Sequence, residues 1–161
     1  MISKVTRYDF KKLNQFVKAV DDHSVVKVGI LGDKNSRQEG QVTNSEIGAV
    51  HEFGSITHNI PPRSFLRMPI FQKSEQIVKG SNEGLEEMPE TGNATGILTR
   101  MGLECENAIQ RAFATMGFGT WRQLLPATIK RKSKNGHLSD RPLIDTGALR
   151  MSITSKVERR G

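Results

Sequence analysis

The sequence predicts a protein that mixes helices with a few β-strands, and three segments carry this prediction. A long helix is expected from Gly96 to Met116, because apolar residues recur there at helical spacing. Strands are expected at 24–32, which is rich in β-branched residues, and at 152–157. The long helix is predicted to bury one stripe, formed by Ile97, Met101, Cys105, Ala108, Ala112 and Met116 and widened by Leu98, Ile109 and Phe113.

Shorter helices are predicted around these elements. An amphipathic helix is expected at 7–21, and a second helix begins where Thr43 and Glu46 form a capping-box pattern. Gly54 is suited to end that second helix, because glycine readily adopts a positive φ. A short helix with a basic, polar loop after it is expected from Leu124 onward. The second helix is predicted to turn three residues toward the interior: Ile47, Val50 and Phe53.

Two segments between the helices are expected to be less regular. Residues 55–60 could form a short strand, and the Pro-Pro-Arg that follows ends regular structure there. The 161 residues suit one domain, with an irregular or mobile insertion at about 78–95 that contains Gly80 and Gly84.

Charge is distributed unevenly along the chain. The 24 Lys and Arg residues outnumber the 17 Asp and Glu residues, for a net charge of +7. The last forty residues hold this whole excess, and an acidic cluster lies upstream. Such separation favours a partner of opposite charge, either nucleic acid or another subunit. The basic run consists of Lys130, Arg131, Lys132 and Lys134, and the acidic cluster of Glu83, Glu86, Glu87 and Glu90.

The triplet Asp145-Thr146-Gly147 has the form of the active-site loop of an aspartic protease. That chemistry needs two such loops, so that two carboxylates share a proton, together with a framework of short strands. The sequence before the triplet is mostly helical, so a structural role is favoured. Asp145 is predicted to cap a short helix that begins at Thr146, by accepting the free backbone N–H groups of its first turn.

No metal site, cofactor site or catalytic set is predicted. His51 and Glu52 begin the pattern of a zinc protease, but the position of the second histidine is Ser55. Cys105 lies on the apolar stripe and is expected to act as a small hydrophobe. No apolar run approaches the roughly 20 residues of a membrane helix, so no membrane contact is expected.

Three segments, taken in order, carry a resemblance to a known family. They are IGAVHEFGSITHNIPPRSFLR (47–67), WRQLLPATIKRK (121–132) and RPLIDTGALRMSI (141–153). Together they resemble the virion morphogenesis and tail-completion proteins of tailed bacteriophages, from which Pro62 departs because a small residue is common there. The matching positions are Phe53, Gly54, Ile60, Pro61, Arg63, Phe65, Leu66, Trp121, Thr128, Ile129, Lys132, Leu143 to Gly147, Leu149 and Ser152.

The resemblance implies an α+β fold, in which a small, mostly antiparallel sheet packs against the long amphipathic helix and extended loops or arms project. Relatives often continue with further strands after the last motif. The sheet here would therefore be completed by an earlier strand, such as 25–31, or by a neighbouring subunit.

The resemblance also implies a structural, non-enzymatic role in the virion at the head–tail junction. There a ring, usually a hexamer, completes or terminates the tail and joins it to the neck. The expected partners are copies of the chain itself, a neck or head-closure protein and the tail tube protein, with assembly in the host cytoplasm. The apolar content of 35% suits a subunit that completes its core in an assembly.

The Pro-Pro-Arg turn is expected to fix a rigid arm, in which Arg63 or Arg67 pairs with a carboxylate. The sequence leaves open whether Phe65 and Leu66 anchor a neighbour or belong to the core of their own chain. Two other functions remain as alternatives: a basic DNA-binding accessory protein, and, less favoured, the aspartic protease. The residues expected at a subunit or partner interface are Phe53, Gly54, Pro61, Pro62, Arg63, Phe65, Leu66 and Arg67.

Overall fold

A computed structural model describes residues 24–36, 42–82, 95–134 and 140–159. The protein is α+β, with a two-stranded antiparallel sheet packed against a long helix. The predicted helix at 7–21 lies outside the described residues. In chain order the elements are β1 (Ser24–Ile30), a 3-10 helix (Gly32–Asn35), α1 (Asn44–Phe53), α2 (Arg67–Gln72), α3 (Ser74–Asn82), α4 (Thr95–Ala114), α5 (Pro126–Lys134), α6 (Ala148–Met151) and β2 (Ile153–Arg159).

The sheet joins two strands that lie far apart in sequence. Ser24 pairs with Arg159 and Ile30 with Ile153, so an earlier strand does pair with the strand after the last motif. One face of the pair packs on α4, where the buried Gly102 lets the helix approach Val26 and Ser155 closely. A two-stranded sheet is marginal alone in water, so its packing on α4 supplies much of its stability.

Helix α4 carries the main core, as its periodicity predicts. Of the expected stripe, Cys105, Ala108 and Ala112 are buried, and so are Ile109 and Phe113. The ring of Phe113 lies 5.4 Å from that of Phe65 and 5.7 Å from that of Trp121, both measured between centroids. The core therefore joins α4 to the segment before α2 and to the turn after α4. The described residues contain no helix long and apolar enough to cross a membrane.

The part of the insertion that the structure describes is regular, contrary to prediction. Helix α3 continues through Asn82, so residues 78–82 are helical, and residues 83–94 lie outside the described ranges. Ile77 and Ser81 are buried, and Ile77 packs with Cys105 and Ala108 of α4. This packing outweighs the roughly 1 kcal/mol by which glycine disfavours a helix interior at Gly80.

Helix α1 has the predicted start but a different buried face. The Thr43 hydroxyl accepts from the Glu46 N–H and the Glu46 carboxylate accepts from the Thr43 N–H, which confirms the capping box. Ile47 packs on the core, but Phe53 is 64% exposed and Val50 lies at the surface, so their predicted inward direction is wrong. The fully buried positions are Asn44, Gly48 and Glu52.

The segment after α1 is a tight turn, and the strand predicted at 55–60 is wrong. Ser55 and Ile60 form an isolated bridge, which a reversal of the chain at 56–59 closes. Gly54 ends the helix with a φ of 80°, as expected for glycine at this place. A Cβ atom there would lie 2.9 Å from the backbone nitrogen of Pro62, so the turn also requires a residue that has no side chain.

Gly102→Ala is expected to destabilise the protein, although alanine is the better helix former. Its Cβ would lie 2.6 Å from Ser155 Oγ and 3.0 Å from Val26 Cγ2, so the sheet must shift away from α4. We expect a loss of about 1–3 kcal/mol in the free energy of unfolding, measured by urea denaturation.

Gly96→Ala in the same helix is the matched control. Its Cβ would meet nothing within 4 Å, so this change should be neutral or stabilising. Equal effects at the two glycines would show that α4 and the sheet are not in close contact at Gly102.

Candidate functional site

The segment that precedes α2 is held by one buried carboxylate, that of Glu52 on α1. Its two oxygens accept hydrogen bonds from the Ser64 hydroxyl (2.7 Å) and from the backbone N–H groups of Phe65 (2.8 Å), Leu66 (2.9 Å) and Arg67 (3.2 Å). The Arg67 guanidinium donates a further bond of 3.0 Å from Nε. Glu52 therefore caps the N-terminus of α2 from a neighbouring helix, where free N–H groups favour negative charge.

The same hydrogen bonds keep Glu52 ionised. Burial alone would raise the pKa of this carboxyl, but the donors on Ser64, Leu66 and Arg67 outweigh that effect and hold the pKa below its ordinary value. Glu52 is 4% exposed, so its charge depends on these donors rather than on water.

This anchoring decides which of the residues expected at an interface are accessible. Phe65 is fully buried in its own core and presents no side chain to a neighbour, and Arg63 is 6% exposed and lines a cleft. Phe53 is exposed, and the Arg67 guanidinium lies 4.6 Å from its ring centroid. The carboxylate partner of Arg67 is Glu52. Of the remaining residues Pro62 is exposed, and Gly54, Pro61 and Leu66 are half-buried.

A cleft lies between the C-terminal end of α1, the turn at 55–63, helix α5 and the loop before α6. Its two adjoining lobes have volumes of about 280 and 430 Å³. Both lobes are lined by His51, Leu124, Thr128 and Arg131, so helix α5 runs along both. The three segments that carry the family resemblance thus meet at one surface feature.

The side of the cleft that is formed by the turn at 55–63 contains a buried cation, the guanidinium of Arg63. The Arg63 Nε donates to the Arg122 carbonyl oxygen (3.0 Å), and the Arg63 N–H donates to the His51 carbonyl oxygen (2.7 Å). Burial lowers the pKa of Arg63, and the positive charge of Arg122 lowers it further. The ion pairs among the described residues join Lys27 or Lys156 to Glu158 and Arg67 to Glu52, so Arg63 has no carboxylate there.

His51 lies beside this cation. Its Nδ1 is buried and has no hydrogen-bond partner among the described residues. Burial lowers the pKa of His51, and the charge of Arg63 lowers it further, so the imidazole is neutral near pH 7. The cleft therefore combines a positive charge with an unpaired polar atom. This environment is suited to an anionic group that can also form a hydrogen bond, as donor or acceptor, with the imidazole nitrogen.

The predicted basic patch lies on helix α5 up to Lys134, not on a loop, and its members have different surroundings. The Lys132 ammonium donates to the carbonyl oxygens of Arg141 and Ile144, so it ties α5 to the loop before α6. Arg131 is exposed and lines both lobes of the cleft. Lys130 and Lys134 are exposed on the same helix but do not line the cleft.

The predicted cap before the last strand is shifted. Helix α6 begins at Ala148 rather than Thr146, and Gly147 occupies the N-cap position with a φ of 82°. The Ala148 N–H donates to the Thr146 hydroxyl (3.3 Å), so Asp145 does not stand at the cap position. Asp145 is exposed and lines the smaller lobe. The sequence favoured aspartate as a cap, but the left-handed glycine sets the start of the helix two residues later.

Cys105 is buried, as its place on the apolar stripe predicts. Burial raises the pKa of its thiol, and the neighbouring Glu104 and Glu106 raise it further, so it is not an activated thiolate. In the ranges that the structure describes, no three His, Cys, Asp or Glu side chains are grouped to hold a metal ion.

Sequence reasoning named Arg63 as an interface residue but missed its burial, and it missed the role of Glu52. One signal for Glu52 was its spacing of four from Gly48 and eight from Asn44, which places all three on one helix face. No sequence signal distinguishes a buried arginine from an exposed one in a turn.

Comparisons with known proteins give no match. No protein-family model fits the chain, and neither the curated proteins nor the solved structures contain a similar one.

Glu52→Gln is expected to destabilise the fold by about 2–3 kcal/mol near pH 7, because an amide cannot accept five hydrogen bonds with a full negative charge. The folded-state pKa lies below the ordinary value of 4.5, so the stabilisation is complete above that value. It is lost as the pH falls through the lowered pKa.

Urea unfolding of both proteins from pH 7 to pH 3 measures this dependence. The difference between wild type and variant should shrink as the pH falls. Glu75→Gln, at an exposed position in the first turn of α3, is the control and should change little at any pH. A pH-independent difference at Glu52 would mean that the carboxylate charge has no part in the anchor.

Proposed function

We propose that this protein is a non-enzymatic structural subunit of a tailed phage virion. In this role it forms a ring of about six copies at the head–tail junction, where it completes or terminates the tail and joins it to the neck. The supporting observation is that the three segments that resemble tail-completion proteins all line one cleft. These segments are 47–67, 121–132 and 141–153. The segments are far apart in sequence, so the cleft is a product of the fold and not of one local motif.

The character of the cleft agrees with binding rather than with a reaction. Its polar lining is mainly cationic or neutral, and Asp145 is a carboxylate in the smaller lobe. The cationic and neutral members include Arg63, Arg122, Arg131, Lys132, His51 and Thr128. Apolar residues such as Leu124 and Leu125 separate the charges, and Leu125 is 58% exposed. Mixed cationic and apolar surfaces of this kind are typical of the contact between protein subunits.

A second candidate is a DNA-binding accessory protein of phage assembly, and helix α5 is the observation that favours it. Lys130 and Lys134 are four residues apart and therefore share a helix face, and both are exposed. Such a face can neutralise phosphates and give salt-dependent binding without reading sequence.

The first test of the proposed function is the mass of the purified protein in solution. We expect light scattering behind a sizing column to give an oligomer of about six copies, or a monomer that becomes a ring when purified tail tubes are added. Electron microscopy of those tubes should show added density at one end only. Absence of both the oligomer and the terminal density would refute the proposed function.

The DNA-binding candidate is tested separately. Lys130→Gln combined with Lys134→Gln should leave the oligomer intact if the ring is the function. If instead the wild type is a monomer that binds arbitrary duplex DNA, and this double variant loses that binding, the DNA-binding candidate replaces the ring.

A further inference from the structure

We propose that the cleft is the receptor for the acidic segment of a second copy, so that glutamates of residues 83–90 on one subunit enter the cleft of the next. This inference rests on the proposed function, since it names the two surfaces that a ring of this chain would join. The receptor is the cationic and apolar lining described above, centred on Arg63, Arg122 and Arg131.

The most buried cation of the receptor, Arg63, has no carboxylate partner among the residues that the structure describes. Arg63 is 6% exposed, yet the described partner of its guanidinium is one carbonyl oxygen, that of Arg122, and no carboxylate. A buried cation without an opposite charge is costly, and Arg122 adds like-charge repulsion. A carboxylate that enters the larger lobe would offset both effects and would bring an acceptor close to the unpaired Nδ1 of His51. Within the described residues, the positive charge at Arg63 is therefore not balanced.

The acidic segment has the chemistry that the cleft requires. Residues 83–90 read EGLEEMPE, with four glutamates and no basic residue, and with Leu85 and Met88 between the charges. The cleft likewise alternates cations with apolar residues, of which Leu125 is 58% exposed and Leu124 is half-buried. Carboxylates opposite guanidinium groups and aliphatic residues opposite leucines would both be complementary.

The connectivity of the chain favours a second copy over the same copy. The chain enters the acidic segment after α3, whose Ile77 packs on Cys105, and leaves it at Thr95, the first residue of α4. The cleft lies near the other end of α4, where Arg141 donates to the Ala114 carbonyl oxygen. The 20 residues of α4 span about 30 Å. Opposite charges are thus attached toward opposite ends of the subunit, which suits head-to-tail contact.

A peptide experiment tests the receptor with the full-length chain. A synthetic peptide of residues 82–92 is titrated into the wild type, and binding is measured by calorimetry at several salt concentrations. We expect saturable binding that weakens with salt, and no binding of a peptide in which the four glutamates are glutamines. Arg131→Glu should weaken binding at least about tenfold.

The matched control is Lys130→Glu, which makes the same change of charge on the adjacent residue of α5 but outside the cleft. It should alter affinity by less than about threefold, the effect of a screened surface charge. Peptide binding should also raise the pKa of His51, seen in the NMR titration of its imidazole signals, because a carboxylate would offset the charge of Arg63.

Two charge-reversal variants test the same contact in assembly. One carries Arg131→Glu, and the other carries Glu86→Lys with Glu87→Lys. Each alone should lose the oligomer, or the ring on tail tubes if the wild type assembles only there. Their equimolar mixture should regain it in part, because alternate contacts are then those of the wild type and the others pair the reversed charge at 131 with the reversed charges at 86 and 87. Circular dichroism and unfolding curves establish that both variants are folded.

Several results would overturn the inference while the proposed function stands. They are an unbound peptide, equal losses for Arg131→Glu and Lys130→Glu, or a wild-type ring whose mass is unchanged in both charge-reversal variants. Binding of duplex DNA that Arg131→Glu abolishes, with no peptide binding, would assign the cleft to nucleic acid instead. Failure of the wild type to form any ring would refute the proposed function, and the peptide titration would still decide what the cleft binds.

Discussion

The buried carboxylate of Glu52 is the constraint on which the rest of the structure depends. It accepts five hydrogen bonds from four consecutive residues, and so fixes the path of the chain between the Pro-Pro-Arg turn and α2. That path directs Phe65 into the core against Phe113, and it leaves the preceding Arg63 beside the cleft. One ionised group thus couples the position of the main core to the position of the buried cation. A neutral residue at 52 would hold both less firmly, because hydrogen bonds to a charged acceptor are shorter and stronger.

The two buried charges of this region, Glu52 and Arg63, are satisfied in different ways. Glu52 has its donors within the chain, so its burial is structurally complete. The Arg63 guanidinium donates to one described carbonyl oxygen and has a second arginine nearby, so part of the cost of its burial is not offset within the described residues. A binding partner with a negative charge would offset this electrostatic cost. The contact would then contribute more to association than an exposed ion pair does. The contrast separates a charge that is satisfied within the described residues from one that is satisfied only in part.

The sequence predicted the elements whose signals are local. The strands at 24–30 and 153–159, helix α4 and the capping box at Thr43 all follow from periodicity or from a pattern within four residues. The buried face of α1 could not be predicted in this way. Gly48 is buried by contact with the core residue Phe65, and Glu52 by its bonds to the N-terminus of α2, and both partners are distant in sequence. The helix start after Asp145 was missed for a related reason. A left-handed Gly147 overrides the intrinsic preference of aspartate for a cap. The cleft itself could not be predicted, because it exists only where three segments pack together.

The weakness of single surface charges has a consequence for how such a subunit would assemble. An exposed ion pair contributes about 0–1 kcal/mol, so two copies held by a few rim contacts would associate only transiently. A partly enclosed cleft increases the contribution of each carboxylate, because water screens the charges less there. Head-to-tail contacts that close into a ring add one further contact without another loss of translational freedom. A subunit of this kind would carry a cationic cleft toward one end and an acidic segment toward the other. Single contacts between such subunits would be weak, so the subunits would stay dispersed at low concentration. The assembly would become stable when the last contact closes the ring.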